Sequence, residues 1–171
     1  MKTIFIGHTG STPIGDLWVA VAENGLLAVQ FPSTHEAFNE WLEKRVGGKI
    51  YFAPQEVEQV LTQLREYAAG RRKEFNLPID WSTLREFQRK TLHATFAIPY
   101  GETRTYKEIA LEIGSPRGAR AVGRAEATNP MPVVLPCHRV IGGDRKLHGY
   151  GAGDGLDTKI RLLQLEGAVN P

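Results

Sequence analysis

One cysteine, Cys137, is the only thiol in this chain of 171 residues. That excludes an internal disulfide and any zinc site built from several thiolates. Histidine is also scarce: His8, His35, His93, His138 and His148 are the five, and no two stand at i, i+4. No metal and no cofactor is expected. No apolar run approaches the roughly 18–20 residues needed to span a bilayer. The opening MKTIFIGHTG, with one Lys and a very short apolar stretch, does not read as a signal peptide. The expected location is cytoplasmic, at the nucleoid, or nuclear in a eukaryote. Repeats, low-complexity segments and heptads are missing, and a monomer is expected in the free form. The glycine-rich stretch GYGAGDGLD has no Gly-Lys-Ser/Thr after it and no strand–Gly-x-Gly-x-x-Gly–helix context, so it is not read as a phosphate cradle.

Hydrophobic residues make up 42 % of the chain, enough for a core. The net charge is only +2, but it is unevenly spread. Residues 1–80 carry eight Lys or Arg against ten Asp or Glu, a balance of −2; residues 81–171 carry thirteen against nine, a balance of +4. An anionic partner is expected to meet the second half.

The patterning predicts an α+β protein. KTIFIGH, GDLWVAVA and GLLAVQF are β-rich runs separated by TPIG and ENG, with Asn24-Gly25 a strong tight-turn signal. They predict a three-stranded antiparallel meander over residues 2–31. THEAFNEWLEKRVGG predicts a helix capped by Thr34, and Val57, Val60, Leu61, Leu64 and Ala68 place a second helix on one apolar face. RRKEFNLPIDW reads as a connection. A helix capped by Ser82 follows. Thr105 and Glu108 then form a capping box for a short helix closed by Gly114. Ser115 and Pro116 predict the start of a partner helix running to about Asn129, and DTKIRLLQLEG predicts the last. Residues 1–80 are expected to form a small supporting domain with the sheet. Residues 81–171 are expected to form an α-rich, winged helix-turn-helix-like domain.

Arg117, Arg120 and Arg124 share one face of the predicted partner helix, interleaved with Gly118, Ala119, Ala121, Gly123 and Ala125. Such a stripe reads either as a solvated basic face or as a surface brought close to polyphosphate; the positive second half favours DNA. Cys137 lies in VVLPCHRVIGG, with Pro136 before it and His138 after. A lone cysteine is either a buried small hydrophobe or a nucleophile. As a nucleophile it would act as thiolate, with a nearby base or positive field lowering its pKa. His138 is the candidate base, and Glu166 is one candidate for the carboxylate that would orient it.

These segments carry a resemblance. IPYGETRTYKEIA, GARAVGRA, NPMPVVLPCHRVIG and LLQLEG, in this order over about residues 82–167, resemble the O6-alkylguanine-DNA alkyltransferase family. The TPIG…LWVA stretch resembles that family's variable first domain more loosely. The resemblance implies direct-reversal repair, in which an alkyl group passes once from O6-alkylguanine in duplex DNA to Cys137 after the base is flipped. It makes Cys137 the acceptor, His138 the base acting through a water, and Glu166 the acid behind it. Arg120 matches the finger filling the space of the flipped nucleotide. Tyr106 matches the tyrosine that turns the phosphate and donates to guanine N3. Asn129 matches the hinge asparagine, Val140 supplies a carbonyl for the guanine amino group, and Tyr150 opens the loop walling the alkyl pocket. Arg117, Arg124 and Lys107 are then phosphate contacts. The chain departs from the family at Gly151, where many members carry a Ser able to bond O6, and in a slightly longer loop before the last helix.

Simpler readings remain beside these roles. Tyr106 also lies on an apolar stripe, Asn129 before Pro130 is a common helix terminator, and Glu166 sits in a last turn where surface residues are frequent. Three other functions fit parts of the pattern. A lesion sensor would lack an acceptor cysteine. A helix-turn-helix regulator with a reactive thiol would need a dimer. A cysteine hydrolase would leave the basic stripe without a purpose.

Overall fold

The computed structural model describes residues 1–144, 146–147 and 149–168; His148 lies outside them. The chain divides into two compact units, Met1–Thr83 and the residues from Leu84 onward. The first is built on β1 (Thr3–His8), β2 (Trp18–Ala22) and β3 (Gly25–Gln30), paired antiparallel as the β-rich runs and their turns predict. Gly25 has φ +123, and a Cβ there would collide with the Pro78 carbonyl, so the tight turn requires glycine. That carbonyl accepts from Leu26 N at 2.8 Å, and Asp80 N returns to Leu26 O at 3.0 Å. The stretch read as a plain connection thus docks on the edge of β3.

A fourth strand, β4 (Lys49–Phe52), runs parallel to β1 and extends the order to β3-β2-β1-β4. The meander reading missed it. Its four residues are mostly exposed, so no buried face imposes an alternation on the sequence. Helix α1 (His35–Arg45) is capped as expected: the Thr34 side chain accepts from Ala37 N at 3.0 Å. It lays Phe38 and Leu42 on Ile4, Ile6, Ala20 and Ala28 of the sheet. On the opposite face, a Cβ at Gly7 would lie 2.8 Å from Val57, so the Pro54–Val57 turn leading into α2 (Glu58–Ala68) seats directly on the strand.

The second unit gathers α3 (Glu86–Phe96), α4 (Tyr106–Glu112) and α5 (Ala119–Ala127) around Ile98, Ile109, Ala110, Val122 and Val140. The capping box is present. Thr105 N donates to Glu108 Oε2 at 2.7 Å, and Glu108 N donates to Thr105 Oγ1 at 3.0 Å. Two other expected caps are not. The Ser82 amide and hydroxyl both turn to Asp80 Oδ1, a 3-10 turn occupies Trp81–Thr83, and α3 begins later, behind Arg85. Ser115 closes a tight turn instead, accepting from Gly118 N at 2.8 Å, and Gly118 stands at the N-cap of α5. A Cβ on Gly118 would lie 2.5 Å from Ser115 Oγ. That glycine serves the turn rather than an approach to a partner. Arg117 therefore precedes the helix, and α5 is shorter at both ends than predicted.

Two residues of β5 (Arg104–Thr105) pair parallel with β6 (Val140–Ile141). This fixes the end of the cysteine segment beside the start of α4. The last helix, α6 (Leu156–Glu166), stops at Gly167 in the left-handed conformation. Because the capping box closes two backbone donors at once, Thr105→Ala should destabilise the second unit by about 1 kcal/mol. Urea denaturation of the variant against the wild type measures this directly.

Candidate active site

The segment between α5 and β6 is buried and strained. Val133, 1 % exposed, has φ +76, a conformation that β-branched residues rarely adopt. Such a backbone persists only where its surroundings hold it. Asn129 is the clamp: its Nδ2 donates to Leu135 O at 2.8 Å, and its Oδ1 accepts from Met131 N at 2.9 Å. The segment ends at Pro136, after which Cys137–Arg139 make one 3-10 turn. The turn frees adjacent Cys137 and His138 from the opposite-face geometry that a strand would impose.

His138 is fully buried, with Nε2 at 2.8 Å from Glu166 Oε1. Arg139 grips the same carboxylate, Nε to Oε2 at 2.9 Å and Nη2 to Oε1 at 2.8 Å, while Nη1 donates to Ile98 O at 2.6 Å. Burial alone would raise the Glu166 carboxyl, but the bonds and charges of His138 and Arg139 outweigh it and hold the group well below the usual carboxylate range. An ionised carboxylate only accepts, so Nε2 of His138 carries the proton and Nδ1 keeps the lone pair. Nδ1 is buried and has no partner among the described residues. Burial pushes the imidazole pKa down, as do the Arg139 and Lys159 charges, against the pull of Glu166. The ring rests neutral, ready to take a proton.

Cys137 is buried, and its thiol is pushed up to about 12. Burial is the main cause and Glu126 adds to it; bonds from Asn129 and Tyr150 and the Lys159 charge act the other way. This corrects the expectation of a lowered thiol pKa. The sulfur rests protonated.

Beside it lies a cavity of about 30 Å³ whose lining includes Tyr106, Glu126, Cys137, Tyr150, Gly151 and Lys159. That is room for water, not for a purine. Tyr106 is half-buried, and its hydroxyl is pushed up by burial, then by Glu126 and Cys137, so it remains a donor. Val140 O accepts from Lys159 Nζ at 2.7 Å, leaving one lone pair of that carbonyl. A Cβ at Gly151 would lie 2.5 Å from Ala127 O. A serine there would therefore require the backbone to shift. Arg117, Arg120, Arg124 and Lys107 are exposed and in no ion pair among the described residues.

The structure thus brings Cys137, His138 and Glu166 together, with Asn129, Tyr106, Val140, Tyr150 and Gly151 around them. Sequence reading missed Arg139, Lys159 and Glu126. Lys159 stands seven residues before Glu166, on the same face of α6 as buried Leu162 and Leu163. Glu126 interrupts the buried stripe of Val122, Ala125 and Asn129. Both spacings were available as signals of buried charge. No group of three or more His, Cys, Asp or Glu able to hold a metal occurs among the described residues.

Residues 86–168 match the family described as 6-O-methylguanine DNA methyltransferase, DNA binding domain, and residues 6–81 match its ribonuclease-like domain. The chain belongs to the 6-O-methylguanine DNA methyltransferase family. A methylated-DNA–protein-cysteine methyltransferase of Methanosarcina barkeri is 41 % identical over 158 residues, covering 91 % of this chain and 92 % of the relative. The constitutive protein of that name from Bacillus subtilis is 39 % identical, over 92 % of this chain and 93 % of its own. Among solved structures, the O6-methylguanine methyltransferase of Mycobacterium tuberculosis superposes with a TM-score of 0.77 at 37 % identity, covering 100 % of this chain and 96 % of that one. The M. tuberculosis protein OGT in complex with DNA gives 0.76 at 36 %, covering 97 % and 93 %.

Two carboxyls displaced in opposite directions yield opposite pH responses. Glu166, depressed, contributes stability present above its unfolded value and lost as pH falls below about 4.5. Glu126, raised to about 8, contributes stability that is complete below its unfolded value of 4.5 and is lost as pH rises to about 8. Thermal melts across that range should show Glu126→Gln gaining on the wild type as pH rises. Glu166→Gln should lose about 3–5 kcal/mol near neutral pH, the result of leaving Arg139 buried without its partner.

Proposed function

We propose that this chain repairs DNA by moving an alkyl group from O6-alkylguanine in a duplex onto Cys137, once per molecule. The observation that carries this reading is a buried thiol beside a neutral imidazole, itself oriented by an ionised carboxylate. The relatives' names and the DNA-bound structure of a homologue support it.

Cys137 is the acceptor. At the moment of transfer its proton passes to His138 Nδ1 through a bridging water. Glu166 holds Nε2–H and stabilises the imidazolium that results. Sulfur attacks the alkyl carbon, the carbon–O6 bond breaks, and the departing guanine accepts a proton at N3 from the Tyr106 hydroxyl. The proton held by His138 then restores Tyr106. Asn129 keeps the cysteine turn in place, the free lone pair of the Val140 carbonyl receives the guanine amino group, and Tyr150 and Gly151 wall the alkyl site. Gly151 carries no hydroxyl for O6, so that contact falls to its backbone. The product is a thioether, and no side chain present reverses it.

The target carbon lies out of reach inside a duplex, so the base leaves the stack, at roughly a few kcal/mol. Arg117, Arg124 and Lys107 offset this through phosphate contacts that read no sequence. Arg120 fills the gap from the minor groove. The first unit supports the second. No helix is long and apolar enough to cross a membrane, and the protein works where the chromosome is, at the nucleoid in the cytoplasm or in a nucleus.

Intact-mass measurement after incubation with a duplex holding one O6-methylguanine tests the reading. One methyl should appear on Cys137, none on Cys137→Ala, and excess damaged DNA should add no second. An unaltered wild-type mass would overturn the proposal. His138→Ala should slow the transfer by about 10²–10⁴-fold. Arg124→Ala should weaken binding evenly across sequences and reduce the salt slope by about one.

A further inference from the structure

Glu126 takes no part in the relay described above, yet its carboxyl borders the cavity that Cys137 also borders. It is 6 % exposed. One oxygen accepts from the Thr95 hydroxyl, and the other, Oε2, is buried with no partner among the described residues. A permanent carboxylate in that position would be a buried charge without its hydrogen bonds; a neutral acid fits the site. Burial accordingly raises the group to about 8, with Thr95 and Lys159 acting against it.

The other groups facing Glu126 complete the balance. Lys159 of α6, 1 % exposed, is the single ammonium there among the described residues, and it feels both Cys137 and Glu126. Tyr106 of α4 feels the same two groups and stays neutral. Thr95 of α3 and Tyr150 complete the described surroundings. One cation therefore faces two acids.

We propose that Glu126 is a positioning residue for the transfer: its carboxyl and the Cys137 sulfur share one negative charge opposite Lys159, so the sulfur ionises only while Glu126 keeps its proton. This rests on the reading of Cys137 as alkyl acceptor. In the step itself the thiol proton leaves to His138, the sulfur–carbon bond forms, the carbon–O6 bond breaks and guanine takes a proton. Glu126 exchanges nothing and acts only through the field at sulfur. Above the pH at which it ionises, it claims the field of Lys159 and holds Cys137 as a thiol.

The test is the rate of methyl transfer from a duplex with one O6-methylguanine, read by intact mass, for the wild type and Glu126→Gln between about pH 6.5 and pH 9. The variant-to-wild-type ratio should be near one at the acid end and rise by about tenfold at the alkaline end, as expected for roughly one pK unit of coupling. Glu126→Met, a second neutral variant, should show the same rise. A ratio that stays flat with pH assigns Glu126 a purely structural role and overturns the proposal, while the transfer reading stands. Failure of both neutral variants to fold would overturn it too, since a residue kept as an acid tolerates a neutral replacement. No methyl on wild-type Cys137 at any pH would instead remove the transfer reading beneath it.

Discussion

A single buried carboxylate, Glu166, organises the second unit around the thiol. It receives His138 and the Nε–Nη2 edge of the Arg139 guanidinium, and Arg139 Nη1 in turn donates to the Ile98 carbonyl just beyond α3. Three separate stretches, the end of α6, the cysteine turn and the exit of α3, are thereby tied at one point. The arrangement is costly to assemble, because two charges leave water, and it holds only with every bond made. Its chemical consequence is the tautomer of His138. With Nε2 committed to the carboxylate, Nδ1 is the one nitrogen left to accept a proton.

Helix α6 serves the other side of the cysteine as well. Lys159, two turns before Glu166, binds the Val140 carbonyl and sets a positive field across the cavity. One amphipathic helix therefore delivers an anion to the histidine and a cation to the sulfur. Between them the backbone of Val133 stays in a strained conformation, which the two bonds of Asn129 hold in place. Asn129 is thus more than a helix terminator. It restrains the segment that carries the cysteine.

Local chemistry was legible in the sequence, and long-range chemistry was not. The β1–β3 meander followed from β-rich runs and Asn24-Gly25, and the Thr34 cap and the Thr105–Glu108 box from side chains whose partners lie within three residues. β4 escaped because its parallel partner is more than forty residues away and its own side chains are exposed. Ser82 and Ser115 misled because a hydroxyl marks a helix start only when it faces the helix. Asp80 captured the first, and Ser115 instead accepts from Gly118 N through its backbone carbonyl. At the site, Cys137 and His138 stood out by adjacency, and Glu166 became definite through resemblance. Arg139, Lys159 and Glu126 read as ordinary charges because only tertiary packing decides whether a charge is buried.

The raised thiol has a physical logic for a residue that acts once. A thiolate is the form that oxidants and stray electrophiles attack. Enclosed beside a cavity of about 30 Å³ and kept protonated, the Cys137 sulfur is poorly reactive toward both. Reactivity has to arrive with the substrate. The cavity has room for water and not for a purine, with Tyr150 and Gly151 in its wall. That wall sits close because Gly151 approaches the Ala127 carbonyl without a side chain.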